Sequence, residues 1–401
     1  MDRDWIGDDD MENFVFENST KAYFGKHCVG QYLPELLSHY GKKVMVAYGG
    51  GSIKRTGIYD EIMAILTEAG KDVVEFSGII ANPTYAKVLE GAKIAKEQDV
   101  DLILAVGGGS VMDCCKAVSL AAVYDGDVWT DFWAKAGAID VKPISLGIVM
   151  TVSGTGSEMN GGAVITNEAL KIKTGRDYPA LNAQFALLDP IYTYTVPKLQ
   201  MISGAFDSFT HMMETYFSAP DGDNVSDSIN EALMKSVVRN LRRAIENPED
   251  YEARSNLVWL STMAENRILK MGKKGDFQGH ILEHSLGAFT DCNHGCGLAV
   301  LLPVYYRHIK SAGAEKFARF ASEVWGISPE GKTTAELAND GVEALAAFVK
   351  EIGLPTTLRE LGMTAEQRDW LPQIAAACVA SPGSYKHLEG DEILAIFEEA
   401  W

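Results

Sequence analysis

Short apolar runs alternate with amphipathic stretches along the first half of the chain. Residues 43–49 and 101–109 are apolar, rich in branched side chains and end in glycine, which predicts buried strands. Between them, residues 55–70 carry apolar side chains at helical spacing and end at a glycine, which predicts an amphipathic helix. The alternation continues with predicted strands at 72–79 and 144–152 and predicted helices at 84–98 and 110–123. Such a pattern predicts a parallel sheet flanked by helices.

The second half of the chain has helical periodicity almost throughout, and strand signals nearly vanish. Predicted helices lie near 200–218, 224–245, 251–270, 277–290, 334–352 and 390–400. The sequence therefore predicts an α/β domain over residues 11–197 and an all-helical domain over residues 198–401. Residues 1–10 are polar and acidic, which is the composition expected of a disordered leader.

Composition limits the classes of partner. The chain has 401 residues, is 47% hydrophobic and 23% charged, and has a formal net charge of −19, which predicts a globular protein that repels nucleic acid and anionic membranes. No apolar run is long enough to span a bilayer, and the N-terminus does not resemble a secretory signal. The six cysteines are then expected to be reduced thiols in a cytoplasmic protein.

A glycine-rich turn joins the predicted strand at 101–109 to the helix that follows. Glycines allow close approach of a phosphate, and a helix N-terminus offers free N–H groups, so this turn is a candidate phosphate site. Its candidate residues are Gly107, Gly108, Gly109, Ser110 and Asp113. The alternative is an ordinary strand-to-helix turn with Ser110 as cap. The segment lacks the G-x-G-x-x-G fingerprint, so a standard Rossmann site is not indicated.

A second glycine run follows the first predicted strand, in YGGGSIKRTG (48–57). An acid at this point of a dinucleotide-binding sheet would hold the ribose 2′-hydroxyl and repel a 2′-phosphate. No acid lies between Gly49 and Gly57, whereas Ser52, Lys54 and Arg55 do. This favours NADP(H) over NAD(H), unless both cations are only solvated surface charges.

Candidate metal ligands are concentrated in the helical half. Asp207 and His211 are four residues apart, and His280 and His284 share the same spacing, so each pair lies on one helical face. His294 follows just before a glycine. Any one of these histidines could be a packed core residue, but together they predict a metal site. Spacing alone leaves open which histidines bind the metal.

One carboxylate with imidazoles suits Fe(II), Zn(II), Co(II) or Ni(II). Cys292 and Cys296 flank His294, and thiolate ligation would favour zinc. We interpret these two cysteines as packing residues.

The chain resembles the iron-containing (group III) alcohol dehydrogenases from Met11 onward, and within them the NADP-dependent butanol dehydrogenases and broad-range aldehyde reductases. The matching motifs are FGKHCVGQYLPELL, YGGGSIKRTGIYD, LAVGGGSVMDCCK, TVSGTGSEMNGGAVIT, ALLDPIYTYTVP, FDSFTHMMETY and HILEHSLGAFTDCNHG. The resemblance implies a dehydroquinate-synthase-like fold that holds cofactor and metal in an interdomain cleft. It also implies a homodimer.

The resemblance assigns roles by motif position. The metal ligands it implies are Asp207, His211, His280 and His294, with Fe(II) as the expected metal and Zn(II) or another divalent ion as the alternative. His284 and Asn160 are the implied catalytic residues near nicotinamide and substrate. The implied NADP(H)-binding residues are Gly50, Gly51, Ser52, Gly107, Gly108, Gly109, Ser110, Asp113, Thr151, Thr155, Ser157 and Lys173.

The implied reaction is hydride transfer between nicotinamide and a small primary alcohol or aldehyde, such as butanol or butanal, with the metal as Lewis acid. The nearest alternative is a zinc- and NAD-dependent enzyme like glycerol dehydrogenase, in which three protein ligands are typical. A phosphate-eliminating enzyme on the same fold would need a basic pocket that the sequence lacks. A third alternative is a non-catalytic NADP-binding redox sensor that switches through Cys114 and Cys115.

Overall fold

The computed structural model describes residues 11–381 and 385–401, so the predicted acidic leader over 1–10 lies outside the described residues. The strands are β1 Lys21–Phe24, β2 Lys43–Tyr48, β3 Asp72–Phe76, β4 Leu102–Gly107, β5 Ser145–Met150, β6 Gly162–Asn167, β7 Ile172–Asp177 and β8 Phe185–Leu188. The helices are α1 Cys28–Leu37, α2 Ser52–Arg55, α3 Ile58–Glu68, α4 Tyr85–Glu97, α5 Gly109–Ala121, α6 Lys198–Tyr216, α7 Val225–Glu246, α8 Tyr251–Glu265, α9 Gln278–Thr290, α10 His294–Ile309, α11 Ala314–Glu323, α12 Thr334–Glu351, α13 Leu371–Ala377 and α14 Gly390–Glu399.

The chain divides into two compact units. The α/β unit comprises Glu17–Gly204 and Glu246–Asn266, and the helical unit comprises Ala205–Ile245 and Arg267–Trp401 with the described residues before Glu17. The start of α6 and all of α8 thus group with the α/β unit. The predicted domain boundary at Pro197 did not anticipate this, because the helical periodicity of α8 carries no sign of which unit it packs with.

The α/β unit contains a six-stranded parallel sheet in the order β1-β8-β5-β4-β2-β3, which confirms the predicted parallel α/β architecture. Alternate strand residues enter two cores on opposite faces of the sheet: Val44 and Val46 pack with α1 and α3, and Met45 and Ala47 pack with α4 and α5. Since both faces are covered, the strands are continuously apolar, as the sequence pattern required.

The strands β1 and β8, together with the antiparallel pair β6–β7, escaped the sequence prediction. Two of them are only four residues long, and β7 is mostly polar, so none shows a clear apolar alternation. The shortness of β1 suits its position at the edge of the sheet.

In the helical unit the predicted helices correspond to α6, α7, α9, α12 and α14 with end shifts of a residue or two, and α10, α11 and α13 were not predicted. Asn293 caps α10 by accepting the N–H of Cys296, so His294 is the first residue of that helix. Among the described residues, no helix combines the length and apolar character required to cross a lipid bilayer.

Candidate active site

Three predicted imidazole ligands of the helical unit surround one carboxylate oxygen of the fourth predicted ligand, Asp207. Oδ1 of Asp207 lies 3.4 Å from Nε2 of His294, 3.5 Å from Nε2 of His280 and 3.8 Å from Nε2 of His211. The His211 and His280 rings stack with centroids 4.5 Å apart. Three helices contribute, since α6 carries Asp207 and His211, α9 carries His280 and α10 begins at His294.

The spacing of these atoms fits a shared cation. Four donors about 2.1 Å from a tetrahedral centre lie about 3.4 Å from one another, close to the separations around Asp207. Oδ1 of Asp207 and Nε2 of His280 are buried, and within the described residues neither has a hydrogen-bond partner. Buried polar atoms normally have one, so their convergence here is explained by a metal ion that they would both bind.

Two buried glutamates orient the imidazoles. Glu214 contacts Nδ1 of His280 through Oε2, and Glu283 contacts Nδ1 of His294 through Oε2. Each contact places the Nδ1 proton on the carboxylate side, which is the tautomer that would allow Nε2 to bind a metal ion. Sequence analysis missed both residues, although Glu214 lies seven positions after Asp207 and Glu283 three after His280, on the helical faces that carry the ligands.

Glu214 also binds the backbone at the start of α9. Its Oε1 accepts the N–H of Gly279 at 2.6 Å and that of His280 at 3.3 Å. A Cβ at position 279 would lie 2.8 Å from this oxygen and 2.2 Å from a methyl of Leu302, so only glycine allows the carboxylate to come this close. The glutamate therefore fixes both the ring and the backbone of its histidine.

Charge coupling within the group favours a cation. Burial raises the pKa of the Asp207 carboxyl, but the His211 and His294 imidazoles outweigh it and lower that pKa to about 2. Burial lowers the pKa of the His280 imidazole, but Glu214 and Asp207 raise it to about 10. The carboxylate therefore stays charged, and the His280 imidazole holds a proton that a divalent ion would have to displace.

His284 lies beside this group rather than in it. Its ring centroid is 5.6 Å from that of His294 and 6.2 Å from that of His280, and the side chain is half-buried. A second set of close ligand atoms joins His284 with Glu283 and His294. The carboxylate of Glu283 already contacts Nδ1 of His294, so the set around Asp207 is the better candidate for a metal ion.

The predicted phosphate turn of the α/β unit joins β4 to α5. Gly107 ends the strand, Gly108 is the N-cap of the helix, and Gly109 and Ser110 form its first turn. A Cβ at Gly109 would lie 2.5 Å from the side chain of Thr155. The N–H of Thr151 donates to the carbonyl of Gly107 at 2.9 Å. The turn and the loop after β5, both predicted to bind the cofactor, therefore touch.

A buried lysine that sequence analysis missed holds this loop in place. Nζ of Lys116, on α5, donates to the carbonyl of Ser157 at 2.6 Å, its hydroxyl at 2.7 Å, Oδ1 of Asn160 at 3.1 Å and the carbonyl of Gly162 at 2.7 Å. The Ser157 hydroxyl donates to Asp113 at 2.6 Å. One buried hydrogen-bond network around the side chain of Lys116 thus contains three predicted site residues, Asp113, Ser157 and Asn160.

Helix α8 braces the same loop from its other side. Oγ of Ser261 accepts the N–H groups of Gly154 at 2.8 Å and Gly156 at 3.2 Å. The amide of Asn160 donates to the carbonyl of Glu265 at 3.2 Å. These contacts explain why α8 groups with the α/β unit, and sequence separations of more than a hundred residues explain why no local pattern predicted them.

The predicted ribose-end residues line an open cavity of about 370 Å³. Gly50, Ser52, Arg55 and Thr151 are among its lining residues, and no aspartate or glutamate is. Gly51 precedes Ser52 as the N-cap of α2. Lys173 is buried in β7, opposite Thr166 of β6.

The two adjacent cysteines do not have the environment of a redox switch. Cys114 and Cys115 both lie on α5, and their side chains are fully buried in the core that the helix forms with the sheet. Burial raises the pKa of the Cys114 thiol to about 12 and raises that of Cys115 well above its ordinary value. Neither thiol is therefore reactive near neutral pH, which argues against the redox-sensor alternative.

A parallel α/β unit with glycine turns and a helical unit with a carboxylate–imidazole group are the two parts expected of a metal-dependent, dinucleotide-linked oxidoreductase. Comparison with known proteins agrees. Residues 19–190 match the family model described as iron-containing alcohol dehydrogenase, and residues 201–401 match that of the C-terminal region of the Fe-containing alcohol dehydrogenase family. The chain therefore belongs to the iron-containing alcohol dehydrogenase family.

Individual relatives cover nearly the whole chain. A Bacillus subtilis protein called probable NADH-dependent butanol dehydrogenase 1 is 39% identical over 97% of this chain and 99% of its own. The NADPH-dependent aldehyde reductase YqhD of Escherichia coli is 35% identical over 88% and 90%. The crystal structure of NADH-dependent butanol dehydrogenase A from Thermotoga maritima superposes with a TM-score of 0.91 at 37% identity, over 98% of this chain and 99% of that one.

Family membership makes this chain an oxidoreductase of the alcohol dehydrogenase/aldehyde reductase class and implies a metal and a nicotinamide cofactor. It confirms the resemblance inferred from the sequence motifs.

Proposed function

We propose that the protein is an NADP(H)-linked, metal-dependent alcohol dehydrogenase and aldehyde reductase that acts on small primary alcohols and aldehydes such as butanol and butanal. The observation that carries the proposal is the convergence of three imidazole Nε2 atoms on Oδ1 of Asp207. The names of the Bacillus and Escherichia relatives, a butanol dehydrogenase and an aldehyde reductase, support the substrate class.

We propose Asp207, His211, His280 and His294 as the ligands, and Fe(II) as the metal because of the family. The donor set also suits Zn(II). A bound divalent ion would polarise the substrate oxygen, and the nicotinamide would give or accept the hydride.

The side chains around the metal group have separate tasks. Glu214 and Glu283 hold the Nδ1 protons, so His280 and His294 present Nε2. Imidazole titrates near neutral pH, so His284 is suited to pass the hydroxyl proton towards solvent.

The α/β unit would bind the dinucleotide. The first turn of α5 offers backbone N–H groups and the positive end of a helix dipole to the pyrophosphate. Hydrogen bonds from Lys116 and to Ser261 hold the loop that carries Thr155 and Asn160 in place. A pre-ordered loop binds its ligand without first losing conformational entropy.

We propose NADP(H) rather than NAD(H) because Arg55 lines the cavity with Gly50 and Ser52, and no carboxylate lines it. The relatives differ in this respect, since the Bacillus protein is named NADH-dependent and the Escherichia protein NADPH-dependent. The ratio of kcat/KM for NADPH to that for NADH tests the preference, and a ratio below one would contradict it. We further propose a homodimer, which sedimentation velocity would test, and a cytoplasmic location, which cell fractionation would test.

The decisive experiment is a panel of aldehydes with NADPH, run on protein reconstituted with Fe(II) or Zn(II). We expect turnover of butanal and little oxidation of glycerol, which separates this proposal from the glycerol-dehydrogenase alternative. The Asp207→Ala variant should bind neither metal and should be inactive. A variant that still carries metal and turns over butanal would refute the ligand assignment.

A further inference from the structure

The two cations that follow the first glycine run have different surroundings. Arg55 and Ser52, three residues apart on α2, line the cavity, and no partner of the Arg55 guanidinium is found within the described part of the chain. Lys54 instead lies near Glu75 of β3, with Nζ 3.3 Å from Oε2. The two cations are consecutive residues of α2, and consecutive helical residues do not share a face, so their side chains have different neighbours.

Glu75 is held firmly for a surface residue. The hydroxyl of Tyr48 donates to its Oε2 at 2.5 Å, and that of Tyr59 to its Oε1 at 2.7 Å. The same two rings bind the lysine, since Nζ of Lys54 lies 4.3 Å from the centroid of Tyr59 and 5.1 Å from that of Tyr48. Hydrogen bonds from these tyrosines and the charge of Lys54 lower the pKa of Glu75, so its charge persists at neutral pH.

This arrangement differs from an ordinary exposed ion pair. Exposed pairs are usually weak, because two long side chains lose freedom for one screened contact. Here two tyrosine hydroxyls donate hydrogen bonds to the carboxylate of Glu75, and the rings of the same tyrosines make cation–π contacts with the ammonium of Lys54. The side chains of Lys54 and Glu75 nevertheless remain 46% and 45% exposed, so the lysine can leave if a better anion is offered.

We propose that Glu75 is a specificity-determining residue that sequesters Lys54 from the cofactor and thereby limits the preference for a 2′-phosphorylated dinucleotide. This inference rests on the proposed function, because it assumes that the ribose end binds at Gly50, Gly51 and Ser52. Arg55 is then the one cation of α2 that contacts the 2′-phosphate. Replacing Glu75 with a neutral residue would release Lys54 to contact the phosphate as well. Cofactor preference does differ among the relatives, since one is named NADH-dependent and another NADPH-dependent.

The test measures the dissociation constants of NADP⁺ and NAD⁺ by calorimetric titration, without turnover. Glu75→Gln keeps the shape and an acceptor for the tyrosines but removes the charge. We expect the ratio of the NAD⁺ constant to the NADP⁺ constant to rise by up to about fivefold, the effect of one exposed ion pair. Lys54→Met alone should change the ratio by less than about twofold, since that lysine is held away from the ligand.

The double variant Glu75→Gln/Lys54→Met should return to the wild-type ratio, because the freed cation is then absent. Asp125→Asn is the matched control: it removes the same charge from the α/β unit, where Asp125 pairs with Lys96 at 3.2 Å on the surface, and should leave the ratio unchanged.

The inference would be wrong if Glu75→Gln left the ratio of the two dissociation constants unchanged. It would also be wrong if the double variant or Asp125→Asn raised that ratio as much as Glu75→Gln does. A large loss of NADP⁺ affinity in Lys54→Met alone would contradict it too. If the wild-type protein bound neither dinucleotide, the proposed function would fail and the inference with it. Circular dichroism of each variant confirms that the fold is intact.

Discussion

Replacing Glu214 with glutamine tests how the metal site is built. The carboxylate has two tasks: Oε1 accepts the N–H groups of Gly279 and His280, and Oε2 contacts Nδ1 of His280. Glutamine has only one acceptor atom. If its oxygen faces the backbone, its NH₂ faces Nδ1, and the ring must carry its proton on Nε2, where it cannot bind metal. If its oxygen faces Nδ1, its NH₂ opposes the two backbone donors.

Either orientation removes one favourable contact at a site that is 1% exposed. Loss of an outer-shell partner typically weakens metal binding by about 10- to 100-fold, or about 1.4–2.7 kcal/mol. We therefore expect the dissociation constant for Fe(II) or Zn(II), measured by competition with a chromophoric chelator, to rise within this range. Activity should recover to within a few-fold at saturating metal, because the four ligands remain.

The matched control is Glu343→Gln, which makes the same change in the helical unit, where Glu343 pairs with Arg307 on the surface. It should leave metal affinity unchanged. Equal metal affinity in Glu214→Gln and Glu343→Gln would refute the view that the buried carboxylate sets the tautomer of its histidine.

Three further outcomes are expected. Lys116→Met removes one donor from four oxygen atoms, so the free energy of unfolding in urea should fall by about 3–5 kcal/mol. A loss below about 1 kcal/mol would contradict the role of this lysine as a buried anchor. His284→Ala should retain its metal, measured by mass spectrometry, but turn over more slowly and lose the dependence of its rate on pH near neutrality. An unchanged rate and pH profile would exclude the proton relay. Cys114 and Cys115 should not react with a thiol reagent in the native protein at neutral pH and should react after denaturation, whereas rapid native labelling would revive the redox-sensor alternative.

The parts of the fold that sequence analysis predicted are those with strong local periodicity. Strands β2, β4 and β5 are central in the sheet and therefore apolar on both faces, so their composition reveals them. Strand β8 has equally apolar residues but spans only four, and edge strand β1 has no buried alternation to detect. Long, repetitive patterns carry structural information that short segments do not.

The candidate site was predictable where its residues lie one helical turn apart. The pair Asp207 and His211 shows this, and the resemblance then separated His284 from the ligands. Lys116 and Ser261 could not be found in the same way. Their partners lie 41 to 107 residues away, and a single lysine in an apolar helix or a serine in an amphipathic one carries no local sign of such a contact.

The position of α8 has a consequence for the order in which the protein can mature on the ribosome. The strands and glycine turns of the α/β unit are all synthesised before residue 204, but the serine that receives the N–H groups of Gly154 and Gly156 is at position 261. The loop at Gly154 and Gly156 therefore lacks these two hydrogen bonds until α7 and most of α8 have been translated. A fragment that stops at residue 204 would contain every glycine of the predicted site but would lack the hydroxyl that accepts the N–H groups of Gly154 and Gly156.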